Sequence, residues 1–195
     1  PLSGYGTLHP PALPQAPLMS YDQVEGFPAI ERADARILIL GSAPSVESLR
    51  QQQYYAHPRN AFWPILTTIL TGELTKLSYP ESVALLQQQQ IALWDVMCSC
   101  ERPGSLDSAI TPASIQTNNF ERFFDQHPEI QALLFNGTKA EETYRKRVLP
   151  HLPAHYTQLQ RHRLPSSSPA MAMLNQEQKL EQWKAVITQS GSYHP

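Results

Sequence analysis

The densest run of chemically capable side chains lies between Ser42 and Trp63, in SAPSVESLRQQQYYAHPRNAFW. Tyr54-Tyr55 precede His57-Pro58-Arg59-Asn60, and Phe62-Trp63 follow at once. Flat rings beside amide and cationic donors suit a planar ligand such as a nucleobase, with rings on its faces and amides on its edge. The plainer alternative keeps Tyr55, Phe62 and Trp63 in the core and makes His57 a satisfied structural histidine.

Two further polar segments could meet this one. Trp94-Asp95 closes an apolar run, and Ser105-Leu106-Asp107 follows near Arg102. An aspartate there can accept from a ligand N–H or support a water; otherwise it caps a loop or pairs with Arg102. In the third segment, Arg161-His162-Arg163 gives way to Leu164-Pro165-Ser166-Ser167-Ser168-Pro169. Serine hydroxyls and backbone N–H groups near a helix start are good phosphate ligands. The prolines stiffen the loop enough to act as a wedge, although an ordinary Ser/Pro turn has the same composition.

These segments need a scaffold, and hydrophobic patterning supplies one. Residues 36–40, 91–97, 131–135 and 155–159 read as buried strands. Helices are expected over 60–71, stopping at Gly72, and from a Ser78 cap with Pro80 in the first turn. Others are expected over 115–125, 138–149 and 175–188. Strand, polar loop, helix is the recurring order. It predicts a three-layer α/β/α fold around a four-stranded, mostly parallel sheet, with the polar loops converging at one sheet edge.

At 195 residues the chain is read as one domain, 19–195, after a Pro/Gly-rich leader or fusion remnant over 1–18. A net charge of −2 leaves any phosphate binding to local patches. Cys98 and Cys100 are spaced C-x-C, which suits neither a disulfide framework nor a four-ligand metal site, so reduced thiols of a cytoplasmic protein are expected. No apolar run approaches the ~20 residues of a membrane span. Fingerprints of serine hydrolases, P-loop enzymes and dinucleotide-binding enzymes are absent, and neither metal nor cofactor is expected.

In order, G-S-x-P-S, Y-Y-x-H-P-x-N-x-F-W, L-W-D-V, S-L-D-S, F-N-G and L-P-S-x-S-P resemble the DNA-deoxyinosine (hypoxanthine-DNA) glycosylases, one branch of the uracil-DNA glycosylase superfamily. The likeness runs from about Phe27 to Ile187, and its specific part is Tyr54 to Trp63. It implies base flipping and hydrolysis of the bond between C1′ and a deaminated base in DNA by a monomer. It also implies roles. Asn60 would position the water, and His57 would donate to the departing base. Ser42, Tyr55, Phe62 and Asp95 would hold the base. Arg161, Arg163, Ser166, Ser167 and Ser168 would meet phosphates, with Met171 as an apolar wedge. The chain departs from related branches at Ala43, where mismatch-specific uracil glycosylases carry Asn and others an Asp, and at Met171, where Asn is common in this branch. No lysine lies in the first or third loop, so a monofunctional enzyme is expected. The rivals are a uracil or mismatch-specific glycosylase, a DNA binder without catalysis, and an unrelated hydrolase using Ser42 or Ser167 with His57 or His162.

Overall fold

The structure, a computed structural model, describes residues 22–190; the proposed leader lies outside them. Its centre is a parallel four-stranded sheet in the order β3-β2-β6-β7. The strands are β2 (Ile37–Gly41), β3 (Ile91–Asp95), β6 (Ala132–Asn136) and β7 (Gln160–Leu164). β2 is buried along its whole length between β3 and β6, which is why it reads as an unbroken apolar run rather than an alternating one.

Successive residues of β2 point to opposite faces and found two cores. Ile37 and Ile39 pack with α2 (Phe62–Thr71), α3 (Tyr79–Gln88) and α6 (Gln176–Gln189). Leu38 and Leu40 pack with α4 (Phe120–Gln126) and α5 (Thr138–Thr143). The expected α/β/α layering is therefore present. The helix starts follow their capping residues. Ser78 with Glu81 and Asn175 with Gln178 form reciprocal capping boxes, and Gly72 ends α2 at φ 82°. Among the described residues no helix is long and apolar enough to cross a membrane.

The structure corrects several expected elements. The loop after β2 contains a short helix, α1 (Val46–Gln51), capped by Ser45. The apolar run 91–97 splits at Val96 into β3 and an antiparallel strand, β4 (Met97–Glu101). β4 lies between β1 (Gln23–Glu25) and β5 (Gln116–Thr117) in a second, three-stranded sheet. The helix expected over 115–125 starts only at Phe120, because Gln116 and Thr117 pair with β4. α5 continues through a π-helical turn, Tyr144–Val148. The strand expected over 155–159 is displaced: Ala154–Gln158 is a 3₁₀ turn, and β7 begins at Gln160. Among the described residues β7 pairs only with β6, and of its own residues it buries only Leu164 fully, so Arg161-His162-Arg163 looks like a loop in sequence yet sits in register with Leu133 to Phe135.

Candidate active site

A cleft of about 990 Å³ opens at the carboxyl ends of all four parallel strands. Gly41, Asp95, Asn136 and Leu164 each end a strand and line it. The sheet order reverses between β2 and β6, and ligands of open α/β sheets bind at such a switch point.

The first wall is aromatic. Tyr55 lines the cleft with its backbone in the left-handed region, at φ 54°. Its ring stacks on Phe62, 4.0 Å between centroids and 20° between planes. Phe62 is 0% exposed and cannot touch a ligand, so its expected base contact is corrected: it backs the Tyr55 ring. Trp63 meets Phe62 edge-on and donates its indole N–H to the Tyr54 carbonyl at 2.8 Å. Tyr54, also buried, bonds through its hydroxyl to the Pro28 carbonyl at 3.2 Å. The aromatic block thus combines both sequence readings, since most of its rings are core while Tyr54 and Tyr55 line the cleft, the Tyr55 hydroxyl beside Gly41.

The deep wall is polar and sparsely partnered. Asp95 is 3% exposed, yet among the described residues Oδ2 has no hydrogen-bond partner, and the buried Tyr55 hydroxyl has none within bonding geometry, although the Asn136 amide interacts with it. Burial, reinforced by the Asp107 charge and opposed by Arg102, raises the Asp95 carboxyl to about 7. Burial likewise pushes the Tyr55 phenol well above its ordinary value, so it stays a neutral donor. Both groups crowd Gly41. A Cβ there would collide with Asp95 Oδ1 and stand 2.6 Å from the Tyr55 hydroxyl.

Asn60 lines the cleft from the turn before α2. Its Oδ1 accepts the Phe62 N–H at 2.9 Å, which fixes the amide at the helix start and leaves the NH₂ group without a protein partner among the described residues. His57 is not among the lining residues; its Nδ1 accepts the Arg59 N–H at 3.1 Å. Ser42 lines the cleft and donates its hydroxyl to Asp107 Oδ1 at 2.7 Å. The buried Arg102 guanidinium donates to the Pro44 and Gly104 carbonyls, tying the first polar loop to the second.

The third loop is bolted down. Asn136 Nδ2 donates to Ser167 Oγ at 2.8 Å, and the Ser167 N–H returns to Asn136 Oδ1 at 2.8 Å. The Ser167 carbonyl accepts the Ala61 N–H at 3.0 Å, joining this loop to the start of α2. From α6, Trp183 donates to the Pro165 carbonyl at 2.9 Å, and buried Lys179 to the Ser168 carbonyl at 3.1 Å. Ser167 is therefore a buried fastener that still lines the cleft. Ser166 and Ser168 stay half-buried on the cleft wall, their Oγ atoms accepting the Ser168 and Ala170 N–H groups at 3.2 Å. Gly137, at φ 98°, lets Ser166 approach; a Cβ there would lie 3.0 Å from Ser166 Cβ. Arg163 and Met171 line the cleft, whereas Arg161 lies outside it and donates to the Thr157 carbonyl at 2.7 Å. Met173 is the more exposed methionine, at 87%.

Sequence reasoning gave no role in the site to Asn136, Lys139 or Asp107, all of which line the cleft. A pointer existed for Asn136, which ends a strand just before Gly137, as Asp95 ends its own. Among the described residues no cluster of His, Cys, Asp or Glu could hold a metal ion.

A parallel sheet with helices on both faces and an aromatic and polar cleft at its switch point suits an α/β enzyme that takes a planar ligand, and sequence comparison agrees. The model of the family described as the uracil DNA glycosylase superfamily matches residues 27–190, and the chain belongs to that superfamily. Two relatives are named hypoxanthine DNA glycosylase. One, from Methanosarcina acetivorans, is 38% identical over 133 residues, covering 64% of this chain and 83% of the relative. The other, from Methanosarcina barkeri strain Fusaro, is 38% identical over 118 residues, covering 60% and 73%. The solution NMR structure of a uracil DNA glycosylase candidate from Methanosarcina acetivorans superposes with a TM-score of 0.70 at 34% identity, covering 86% of this chain and 98% of that one.

Proposed function

We propose that this chain is a monofunctional DNA glycosylase that removes hypoxanthine from DNA, acting as a cytoplasmic monomer. The observation that carries the reading is the deep wall, where Asp95 and Tyr55 present buried polar atoms that no described residue meets in bonding geometry, beside a stacking ring. Buried polar atoms without partners are costly, so a site that keeps them is built for a ligand that supplies the partner. Hypoxanthine presents adjacent O6 and N1–H on its edge. A protonated carboxyl donates to one and accepts from the other, and Asp95, near 7, holds its proton over much of the acidic and neutral range.

The base leaves the stack at a cost of a few kcal/mol, lowered by its weakened pairing. It slides against Tyr55, and Asp95 engages its edge. As the glycosidic bond breaks, positive charge gathers on the sugar and negative charge on the base. The Asn60 NH₂ group holds the attacking water, which suits a dissociative transition state needing little activation of the nucleophile. Ser42 borders the base pocket. Ser166 and Ser168 meet phosphates flanking the flipped nucleotide, with charge from Arg163 and, further out, Arg161. Met171 fills the space the base leaves. His57, outside the cleft lining, acts on the departing base only through movement of its loop.

The test is alkali-dependent cleavage of a labelled duplex carrying one deoxyinosine, beside the same duplex carrying deoxyuridine. Cleavage at inosine is expected. Cleavage at uracil alone would keep the fold and change the base; cleavage of neither would make the chain a lesion binder. Lys139 in the cleft gives the monofunctional claim its own check. Borohydride should trap no covalent complex, and a trapped complex would make the enzyme a lyase.

A further inference from the structure

Hydrolysis of an N-glycosidic bond consumes a water, and that water's proton must go somewhere. Asn60 orients a water but cannot take its proton, since an amide is not basic and its Oδ1 already caps α2. Ala43 offers only a methyl group. Asp95 is engaged deeper in the wall, and burial favours its protonated form.

Two further carboxylates line the cleft, Asp107 and Glu142, and Glu142 is paired with Lys146 at 3.5 Å. Asp107 opens the turn Asp107–Ala109, is exposed, and lines the cleft. The Ser42 hydroxyl holds its Oδ1 at 2.7 Å, directly after β2, while Oδ2 has no protein partner among the described residues. Ser105, two residues earlier, accepts the Val46 N–H at 3.0 Å, and Arg102 donates to the Pro44 carbonyl, so the segment leading to Asp107 is tied to the first polar loop. An exposed carboxylate fixed by one oxygen, with the other left without a partner among the described residues, is arranged to accept a proton.

We propose that Asp107 is the proton acceptor for the attacking water, held in place by Ser42. This rests on the glycosylase reading and adds a catalytic residue to it. The water oxygen bonds C1′ while one of its protons passes to Asp107 Oδ2. The electron pair of the bond between C1′ and N9 leaves with hypoxanthine. The base anion then takes a proton from bulk water, and Asp107 returns its own to bulk water. Before the transfer, the negative charge of Asp107 also favours the sugar cation across the cleft.

The test is single-turnover excision from an inosine duplex by wild type, Asp107→Asn, Asp107→Ala and Ser42→Ala, with lesion-duplex affinity measured in parallel. Asp107→Asn keeps an acceptor for the Ser42 hydroxyl and removes the basic group. Its rate should fall about 100-fold or more with affinity within a factor of about two or three, in line with the 10²–10⁴-fold typical of general-base catalysis. Formate should restore part of the Asp107→Ala rate, where chloride at equal ionic strength does not. Ser42→Ala should fall about tenfold, because the carboxylate is present but no longer fixed. Wild-type rates in Asp107→Asn, or losses of affinity as large as the losses of rate, would overturn the assignment. A wild-type enzyme inactive on every deaminated base would instead overturn the glycosylase reading, so the two failures are distinguishable.

Discussion

The floor of the cleft and its rim are built on opposite terms. On the floor, Asp95 Oδ2 and the Tyr55 hydroxyl are buried with no described residue in bonding geometry, and Tyr55 holds a left-handed backbone that non-glycine residues avoid. On the rim, Asn136, Ser167, Ser166 and Ser168 are bonded within the protein. An unpartnered buried donor or acceptor costs about 1–3 kcal/mol, whereas a paired one contributes about 1 kcal/mol. The floor is therefore held against its own stability and the rim through it. This contrast separates atoms kept for a ligand from atoms that keep a shape.

The largest effects should come from closing the floor. Gly41→Ala places a methyl group against Asp95 and Tyr55, and excision of hypoxanthine should fall below detection while DNA affinity in a gel-shift assay changes less than tenfold. Asn60→Ala should likewise abolish turnover. It also removes the cap on the Phe62 N–H, at about 1 kcal/mol of stability in a denaturant titration.

Breaking the rim should cost stability first. Asn136→Ala strands the Ser167 N–H and hydroxyl in a buried site and should destabilise the fold by about 2–3 kcal/mol. Activity should decline with it, because Ser167 also anchors the start of α2 through Ala61.

Acidity sharpens the contrast further. The folded protein holds the Asp95 proton up to about pH 7, whereas the unfolded chain releases it near its ordinary value. Between those limits the folded state binds more protons, so this group's contribution to stability falls as pH rises from about 4 to 7. Asp95→Asn removes that slope. The variant should gain thermal stability relative to wild type at pH 8 and much less at pH 5, while losing hypoxanthine excision. An equal change at both pH values would mean that Asp95 does not carry the proton.

The smallest effect belongs to the outer rim. Arg163→Ala should weaken binding to every sequence alike and reduce the slope of log affinity against log salt by about 1, with base preference unchanged.

Much of this organisation was legible in the sequence, for physical reasons. β2 and β6 are buried on both faces, so Ile37 to Leu40 and Ala132 to Phe135 announce themselves as apolar runs. Ser78, Gly72 and Asn175 mark helix ends through local bonds that depend on few distant residues. β7 escaped because an edge strand needs little apolar surface, and Arg161 to Arg163 carry almost none. β1, β4 and β5 escaped because they are stabilised by pairing across long sequence separations, as between Val24 and Cys100. In the site, Tyr55, Asn60 and Asp95 could be chosen by chemical type and position. The burial of Phe62 and Ser167 could not be read there, since it follows from tertiary packing that residue type alone does not encode. Asp107 gains its place from a bond to Ser42, sixty-five residues away in sequence.

The most direct measurement is the rate at which wild type and Gly41→Ala make abasic sites in a duplex with a single deoxyinosine, read as alkali-dependent strand cleavage. Cleavage by wild type and none by Gly41→Ala is expected, with both proteins folded by circular dichroism and both binding DNA. Equal cleavage by the two, or none by wild type, would contradict the claim that Asp95 and Tyr55 form the base pocket of a working glycosylase.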